Sequence, residues 1–281
     1  MTPPIRIGNQ TAWACADRME PFAFALRHGF GAFEWFADKK EGPGGVAGWD
    51  ESDMDEDTRS WIRATGKAHD VRFTVHAPWQ ANPLHPEGVA LLLRSVDFAR
   101  DLGADLVNLH LYMDDGAPGY VRALAPVVRH AAGAGLRLSI ENTPHTTPAD
   151  FNETFHCLRS LGGADSGAVG MCLDIGHANL CPLTHNDYVG YLDALAPEVP
   201  IIHAHVHENY GDADSHLTLF TGPAREDDAG VRAFLERLRR RGYRGALILE
   251  QWPDPPRLLV EAANRLRELL GLPPPGLLTG R

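Results

Sequence analysis

LRLSIENTPHTTPADFNETFHCLRSLGGADSGAVGMCLDIGH, residues 136–177, holds one complete turn of the pattern that organises the chain. The apolar run Leu136–Asn142 closes on Glu141 and Asn142. Thr147-Pro148-Ala149-Asp150 then opens a helix, with a capping hydroxyl placed just before a proline. A second apolar run, Val169–Ile175, carries Asp174 near its end. Neither run alternates polar with apolar residues, so both read as strands covered on both faces. Similar runs occupy Ile5–Gly8, Ala32–Phe36, Arg72–Ala77, Asp105–Leu111, Ile201–Val206 and Ala246–Glu250. Helical spacing fills the intervals, as in Val89-Leu92-Leu93-Val96-Ala99 and Val231-Phe234-Leu235-Leu238. Glycine marks the return to the next strand at His28-Gly29, Leu102-Gly103, Ala134-Gly135 and Arg241-Gly242. Eight strands alternating with helices predict an α/β fold, the closed (β/α)8 TIM barrel, as a single domain over residues 1–270. An open doubly wound sheet often shows a Gly-rich phosphate turn after its first strand, and Ile7-Gly8-Asn9-Gln10-Thr11 carries none. Residues 271–281 read as a Pro/Gly-rich C-terminal tail.

The chain has 281 residues, 44% of them hydrophobic, enough for one barrel. Lys+Arg number 26 against 37 Asp+Glu, a net charge of −11, which argues against binding nucleic acid or anionic membrane without specificity. No apolar run approaches the ~20 residues of a membrane span. The opening MTPPIRIGNQ has neither the basic nor the apolar region of a signal peptide. Cys15, Cys157, Cys172 and Cys181 form no CxxC pair and read as reduced thiols, so a cytoplasmic location is expected. Histidine is abundant, at 14 residues, and it is the commonest metal ligand and proton carrier.

In a barrel the functional rim lies at the C-terminal ends of the strands. Here those ends carry His76, His110, Glu141, Asp174 followed by His177, the series His203-Ala204-His205-Val206-His207 followed by Asp214 and His216, and Glu250. Burying several carboxylates together is costly unless they are paired or bound to metal, so a metal site is expected. Mixed nitrogen and oxygen donors suit Mn²⁺, Zn²⁺, Fe²⁺ or Co²⁺, and all-oxygen sites suit Mg²⁺. His28, His69, His130 and His156 fall in helical segments and read as surface residues, while His85, His145 and His185 lie in rim-side loops. Trp35, Trp79, Tyr210 and Trp252 fall at rim positions, where aromatic faces suit stacking on a small ring or a sugar. Thr221-Gly222-Pro223 reads as a tight turn, with a phosphate pocket as the alternative. The run Arg237, Arg239, Arg240, Arg241 and Arg244 precedes the eighth strand and is placed on the opposite face.

Glu141-Asn142-Thr143, Asp174-Ile175-Gly176-His177, His205-Val206-His207-Glu208-Asn209, Asp214-Ser215-His216 and Leu249-Glu250 together resemble the xylose isomerase-like TIM-barrel superfamily, from about Phe73 to Glu250. The superfamily holds sugar and sugar-phosphate isomerases and epimerases, inosose dehydratases and endonuclease IV. For the isomerase and epimerase members the resemblance implies one divalent ion (Mn, Zn, Mg or Co) held by Glu141, Asp174, His205 and Glu250. Glu141 and Glu250 would also exchange protons with a carbohydrate substrate, and His177 would touch a substrate oxygen. For endonuclease IV it implies a three-zinc cluster that adds His76, His110, His177, Asp214 and His216.

The expected activity is therefore a metal-dependent isomerase or epimerase of a sugar or sugar phosphate, acting through an enediolate. The alternatives are an endonuclease IV-like zinc phosphodiesterase acting on abasic DNA and a metal-dependent dehydratase of a polyol. The first 60 residues do not resemble the opening of endonuclease IV, where DNA-contacting loops begin, and the acidic charge also disfavours a nucleic-acid partner. A homo-oligomer is compatible with the sequence, and a membrane partner is not expected.

Overall fold

The computed structural model describes residues 5–11, 15, 17–42, 45–160 and 167–275. Its strands are β1 (Arg6–Gln10), β2 (Ala32–Phe36), β3 (Lys40–Gly42), β4 (Gly45–Ala47), β5 (Arg72–His76), β6 (Leu106–His110), β7 (Arg137–Glu141), β8 (Val169–Asp174), β9 (Ile201–Val206) and β10 (Ala246–Leu249). Eight of them close a parallel barrel in the order β1-β2-β5-β6-β7-β8-β9-β10, with β10 paired back onto β1. Helices α1 (Glu20–Arg27), α2 (Glu56–Ala68), α3 (Pro86–Leu102), α4 (Gly116–Gly133), α5 (Pro148–Ser160), α6 (Ile175–Leu180), α7 (Tyr188–Ala194), α8 (Ala229–Arg240) and α9 (Arg257–Leu270) connect the strands. The expected single-domain (β/α)8 barrel is what forms. The opening residues 1–4 and the tail residues 276–281 lie outside the described residues. Among the described residues, no helix is long and apolar enough to cross a membrane.

Local chemistry sets the ends of the elements. Thr147 donates from both its amide and its hydroxyl to Asp150 Oδ2 (2.7 and 2.8 Å), which starts α5 where the sequence places it. Helix α3 begins on Pro86 and stops at Gly103, whose φ of +69° is left-handed and favours glycine. The β3–β4 pair, for which the sequence gives no strand signal, is antiparallel and separate from the barrel. Arg237 pairs with Asp193 of α7 (2.7 Å), and Arg241 donates to the Leu195 and Ala196 carbonyls, so part of the basic run ties α8 to α7.

Strand parity decides what faces the barrel axis. In β2, Glu34 points inward, so Phe33 and Trp35 point out toward the helices. Trp35 was expected on the rim as a substrate-lining residue. It is instead fully buried, packed on Phe22 of α1 (ring centroids 5.3 Å), Phe33 (4.8 Å) and Trp49 (6.3 Å). A large side chain fully buried in this way contributes about 1.5–3 kcal/mol of stability. Ala32, Ala246 and Ile248 form a separate small apolar cluster. Above this cluster the inward positions turn polar.

Candidate active site

Four adjacent strands supply the centre. Glu141 ends β7, Asp174 ends β8, His205 lies in β9 and Glu250 follows β10 directly. Parallel register sets Asp174 beside His205, places Ile248, two residues before Glu250, beside the same histidine, and pairs Glu141 with Cys172, two residues before Asp174. His205 Nδ1 stands 3.3 Å from Glu141 Oε1, 3.2 Å from Glu250 Oε2 and 3.7 Å from Asp174 Oδ2. These residues are all buried. Glu141 Oε1, His205 Nδ1 and Glu250 Oε2 nevertheless lack hydrogen-bond partners. Ligands of one divalent ion at about 2.0–2.2 Å stand roughly 3 Å apart, the spacing seen here. The donor set therefore fits a divalent cation, and His76, Glu141, His205 and Glu250 form one compact ligand cluster.

The opposite edges of these groups are tied down. Glu141 Oε2 accepts from His76 Nε2 (3.1 Å) and from Asn108 Nδ2, while Asn108 Oδ1 accepts from Ser139 (2.7 Å). His205 Nε2 bonds Glu34 Oε1 (2.8 Å), whose other oxygen bonds His203 Nε2 (2.7 Å) and Thr74 Oγ1 (2.8 Å). Asp174 Oδ1 accepts from the His177 amide (2.8 Å) and so caps α6. Its other oxygen meets His207 Nε2 at 3.1 Å. A Cβ on Gly176 would fall 1.9 Å from the His207 ring, so only glycine leaves room for this histidine.

A second layer lies toward solvent. His177 Nδ1 donates to the Asn142 carbonyl (2.8 Å), and its Nε2 faces Asp214 Oδ2 at 3.2 Å. His216 donates from Nδ1 to the Glu250 carbonyl (2.9 Å) and also faces Asp214 Oδ2, at 3.1 Å. The His207 and His216 rings stack at 4.0 Å. His110 Nε2 is 3.7 Å from Glu141 Oε1. His76, His110, Glu141, Asp174, His177, His205, Asp214, His216 and Glu250 thus lie around one mouth.

Burial works against charge throughout this cluster, and the neighbours overcome it. Burial would raise the Glu141 carboxyl, but His205 and His110 hold it well below the usual range. Glu250 is likewise lowered, against burial, chiefly by His205. Glu34 is held low, against burial, by His205 and His203. Burial would depress the His205 imidazole, but Cys172, Glu250, Glu141 and Glu34 raise it well above its ordinary value. His216 is pushed up to about 9 because its bond to Asp214 and the charge of Glu250 outweigh burial.

Two cavities flank the centre. One of about 480 Å³ is bounded by Trp79, His110, Tyr112, His145 and His177. The other, about 310 Å³, is bounded by His207, Glu208, Tyr210 and Pro223. Trp79 and Tyr210 border these cavities, and both are largely exposed. Trp252 differs, being half-buried against Phe24 (5.3 Å). His28, His69 and His156 are exposed, His130 pairs with Asp97 (3.0 Å), His85 is exposed and His185 bonds the Gly211 carbonyl (2.7 Å). The sequence places His203 and His207 in the rim series without giving either a role, and does not single out Glu34 or Asn108. The signal for His203 and His207 was the even spacing around His205, which puts His203 and His205 on the inner face of β9 and His207 directly after its end.

The chain is similar to the uncharacterized protein MJ1311 of Methanocaldococcus jannaschii, at 26% identity over 65% of this chain, and spans 65% of that relative's length. Among solved structures, a D-tagatose 3-epimerase-like protein superposes with a TM-score of 0.72 at 22% identity, covering 95% of this chain and 97% of the other. An L-ribulose 3-epimerase superposes with a TM-score of 0.66 at 19% identity, covering 95% of each chain. The model of the xylose isomerase-like TIM barrel matches residues 22–269. With that match over most of its length, the chain belongs to the xylose isomerase-like TIM-barrel family.

Proposed function

We propose that the protein is a divalent-metal-dependent sugar isomerase or epimerase working through an enediolate. The observation that carries this reading is the set of three buried, partnerless ligand atoms, His205 Nδ1 with Glu141 Oε1 at 3.3 Å and Glu250 Oε2 at 3.2 Å from it. Glu141, Asp174, His205 and Glu250 would hold the ion. Bound there, a divalent cation supplies Lewis acidity toward a carbonyl and its neighbouring hydroxyl. The fold similarity to sugar 3-epimerases supports the same chemistry.

The chain's own residues account for the proton movements. Glu141 ends β7 and Glu250 follows β10, with β8 and β9 between those strands, so the two flank the centre from either side. Both are held ionised, the state from which a base begins. One carboxylate takes the proton from the carbon next to the carbonyl, and the other, once it has taken up a proton from solvent, returns that proton to the carbon. Two bases on opposite faces invert one carbon, whereas one base serving adjacent carbons moves the carbonyl. A positioned acid–base group contributes roughly 10²–10⁴-fold to rate. His177, oriented by the Asn142 carbonyl, stabilises the substrate oxyanion or carries the hydroxyl proton. Trp79 and Tyr210 offer faces for the sugar carbons.

The test is solvent deuterium incorporation into candidate ketoses by metal-loaded protein, with chelated protein as control. A second reading, multinuclear zinc phosphodiester hydrolysis, draws on His177, His207, Asp214 and His216, which form a further ligand cluster. It requires two or three zinc ions per chain and incision of abasic DNA. The net charge of −11 opposes it, since each phosphate contact on duplex DNA recruits Lys or Arg.

A further inference from the structure

We infer that Asn142 is a positioning residue: its side-chain amide stands in for a missing strand neighbour of Asp174, and so holds Asp174 and His177 in place beside Glu141. Its effect on turnover rests on the isomerase reading, whereas its effect on metal affinity stands without that reading.

Strands β7 and β8 pair from Leu138 with Val169 to Glu141 with Cys172, and there β7 ends. Strand β8 runs on to Asp174, which pairs with His205 on its other side. Beyond Asn142 the chain turns away. The Thr143 amide bonds Thr146 Oγ1 (2.8 Å), and Pro144 has no amide hydrogen. On the β7 side, the N–H and C=O of Asp174 would therefore face a gap in the ladder. Asp174 is fully buried, and each backbone group left unpaired there would cost about 1–3 kcal/mol.

The Asn142 side chain closes that gap. Its Oδ1 accepts from the Asp174 amide at 2.9 Å, and its Nδ2 donates to the Asp174 carbonyl at 2.8 Å. A carboxamide offers one face with both a donor and an acceptor, as a peptide group does, and a carboxylate offers acceptors alone. The Asn142 backbone is engaged as well, because its carbonyl accepts from His177 Nδ1 (2.8 Å). Asp174 in turn accepts from the His177 amide through Oδ1 (2.8 Å). One fully buried residue thus bonds both Asp174 and His177 and is joined covalently to Glu141. The tie matters because Asp174 Oδ2 stands 3.7 Å from His205 Nδ1, farther than Glu141 Oε1 (3.3 Å) or Glu250 Oε2 (3.2 Å). A small shift of the Asp174 backbone would take its carboxylate out of reach of a shared cation. Misplacing a group by about 1 Å can cost 10²-fold in rate.

The experiment compares the full-length native protein with Asn142→Asp, which keeps the shape and loses the donor. Asn142→Ser serves if that variant does not fold. Val96→Ala, a buried change in α3, is the control for lost stability alone. In the first arm, Mn²⁺ affinity is measured by competition with a chelating dye, and the visible spectrum of Co²⁺-loaded protein is recorded. The Asn142 variant should bind Mn²⁺ about 10–100-fold more weakly and show an altered Co²⁺ spectrum, while Val96→Ala behaves as native. In the second arm, deuterium exchange into D-fructose and D-ribulose is followed at saturating Mn²⁺. The Asn142 variant should lose about 10²-fold in kcat with KM little changed, since geometry is lost and not substrate binding. Native Mn²⁺ affinity in a folded Asn142 variant overturns the inference, and so does equal weakening in Val96→Ala. Native kcat at full metal occupancy overturns it for turnover. If the native protein exchanges neither ketose, the isomerase reading loses its support and the metal arm alone decides the role of Asn142.

Discussion

Glu141 Oε1, His205 Nδ1 and Glu250 Oε2 are buried polar atoms with no hydrogen-bond partner, and they meet within one small volume. An unsatisfied buried polar group costs about 1–3 kcal/mol, and more when charged, so a cluster of three calls for a ligand that is positive and small. The imidazole between the carboxylates then has a definite pH behaviour. Despite burial, its acidic neighbours raise its pKa well above the ordinary value, so in the metal-free protein at neutral pH it holds a proton. A cation must displace that proton to reach Nδ1. Metal affinity should therefore weaken as pH falls, by about tenfold per unit for one proton released. Competition titrations at several values between about pH 6 and 8 check this, and a flat profile would show that His205 is not a ligand.

Elements matter because they bring distant residues to one level. Glu34 of β2, Thr74 of β5 and both His203 and His205 of β9 share one buried carboxylate. This arrangement fixes His205 with Nε2 down and Nδ1 up, toward the other ligands. Outer partners of metal-bound histidine are typically worth 10–100-fold in metal affinity. Glu34→Gln should thus lower affinity by about that factor while the protein stays folded by circular dichroism. Unchanged affinity would make Glu34 a filler of the barrel and nothing more. The strands were legible in the sequence because their apolar runs are punctuated by glycine and end on metal-binding side chains. Parity within a run was not, since Phe33-Glu34-Trp35-Phe36 reads as rim aromatics until Glu34 is seen to claim the inward place. Nor does sequence show that Glu208 closes back on Gly222 and Ala224, a contact across a long loop. The β3–β4 hairpin was missed for a simpler reason: its strands have three residues each and no apolar pattern.

At the scale of the whole molecule, one cation would join β7, β8, β9 and β10, half of the barrel circumference. A ligand that binds only the folded state stabilises it by about 2.7 kcal/mol at a hundredfold excess over its Kd. Chelation should therefore lower the melting temperature, and readdition of Mn²⁺, Co²⁺, Mg²⁺ or Zn²⁺ should restore it together with activity. An unchanged melt in protein shown to have lost its metal would mean that the quartet holds no structural charge balance. The central claim is that Glu141 and Glu250 move a carbon-bound proton beside a divalent cation. It is tested most directly by deuterium exchange into free ketoses in heavy water, comparing the native protein with Glu141→Gln and Glu250→Gln at verified metal occupancy. The account predicts exchange at the carbon next to the carbonyl, slowed by at least about 10²-fold in each variant and absent after chelation. Exchange at the native rate in either metal-loaded variant, or in metal-free protein, would contradict it.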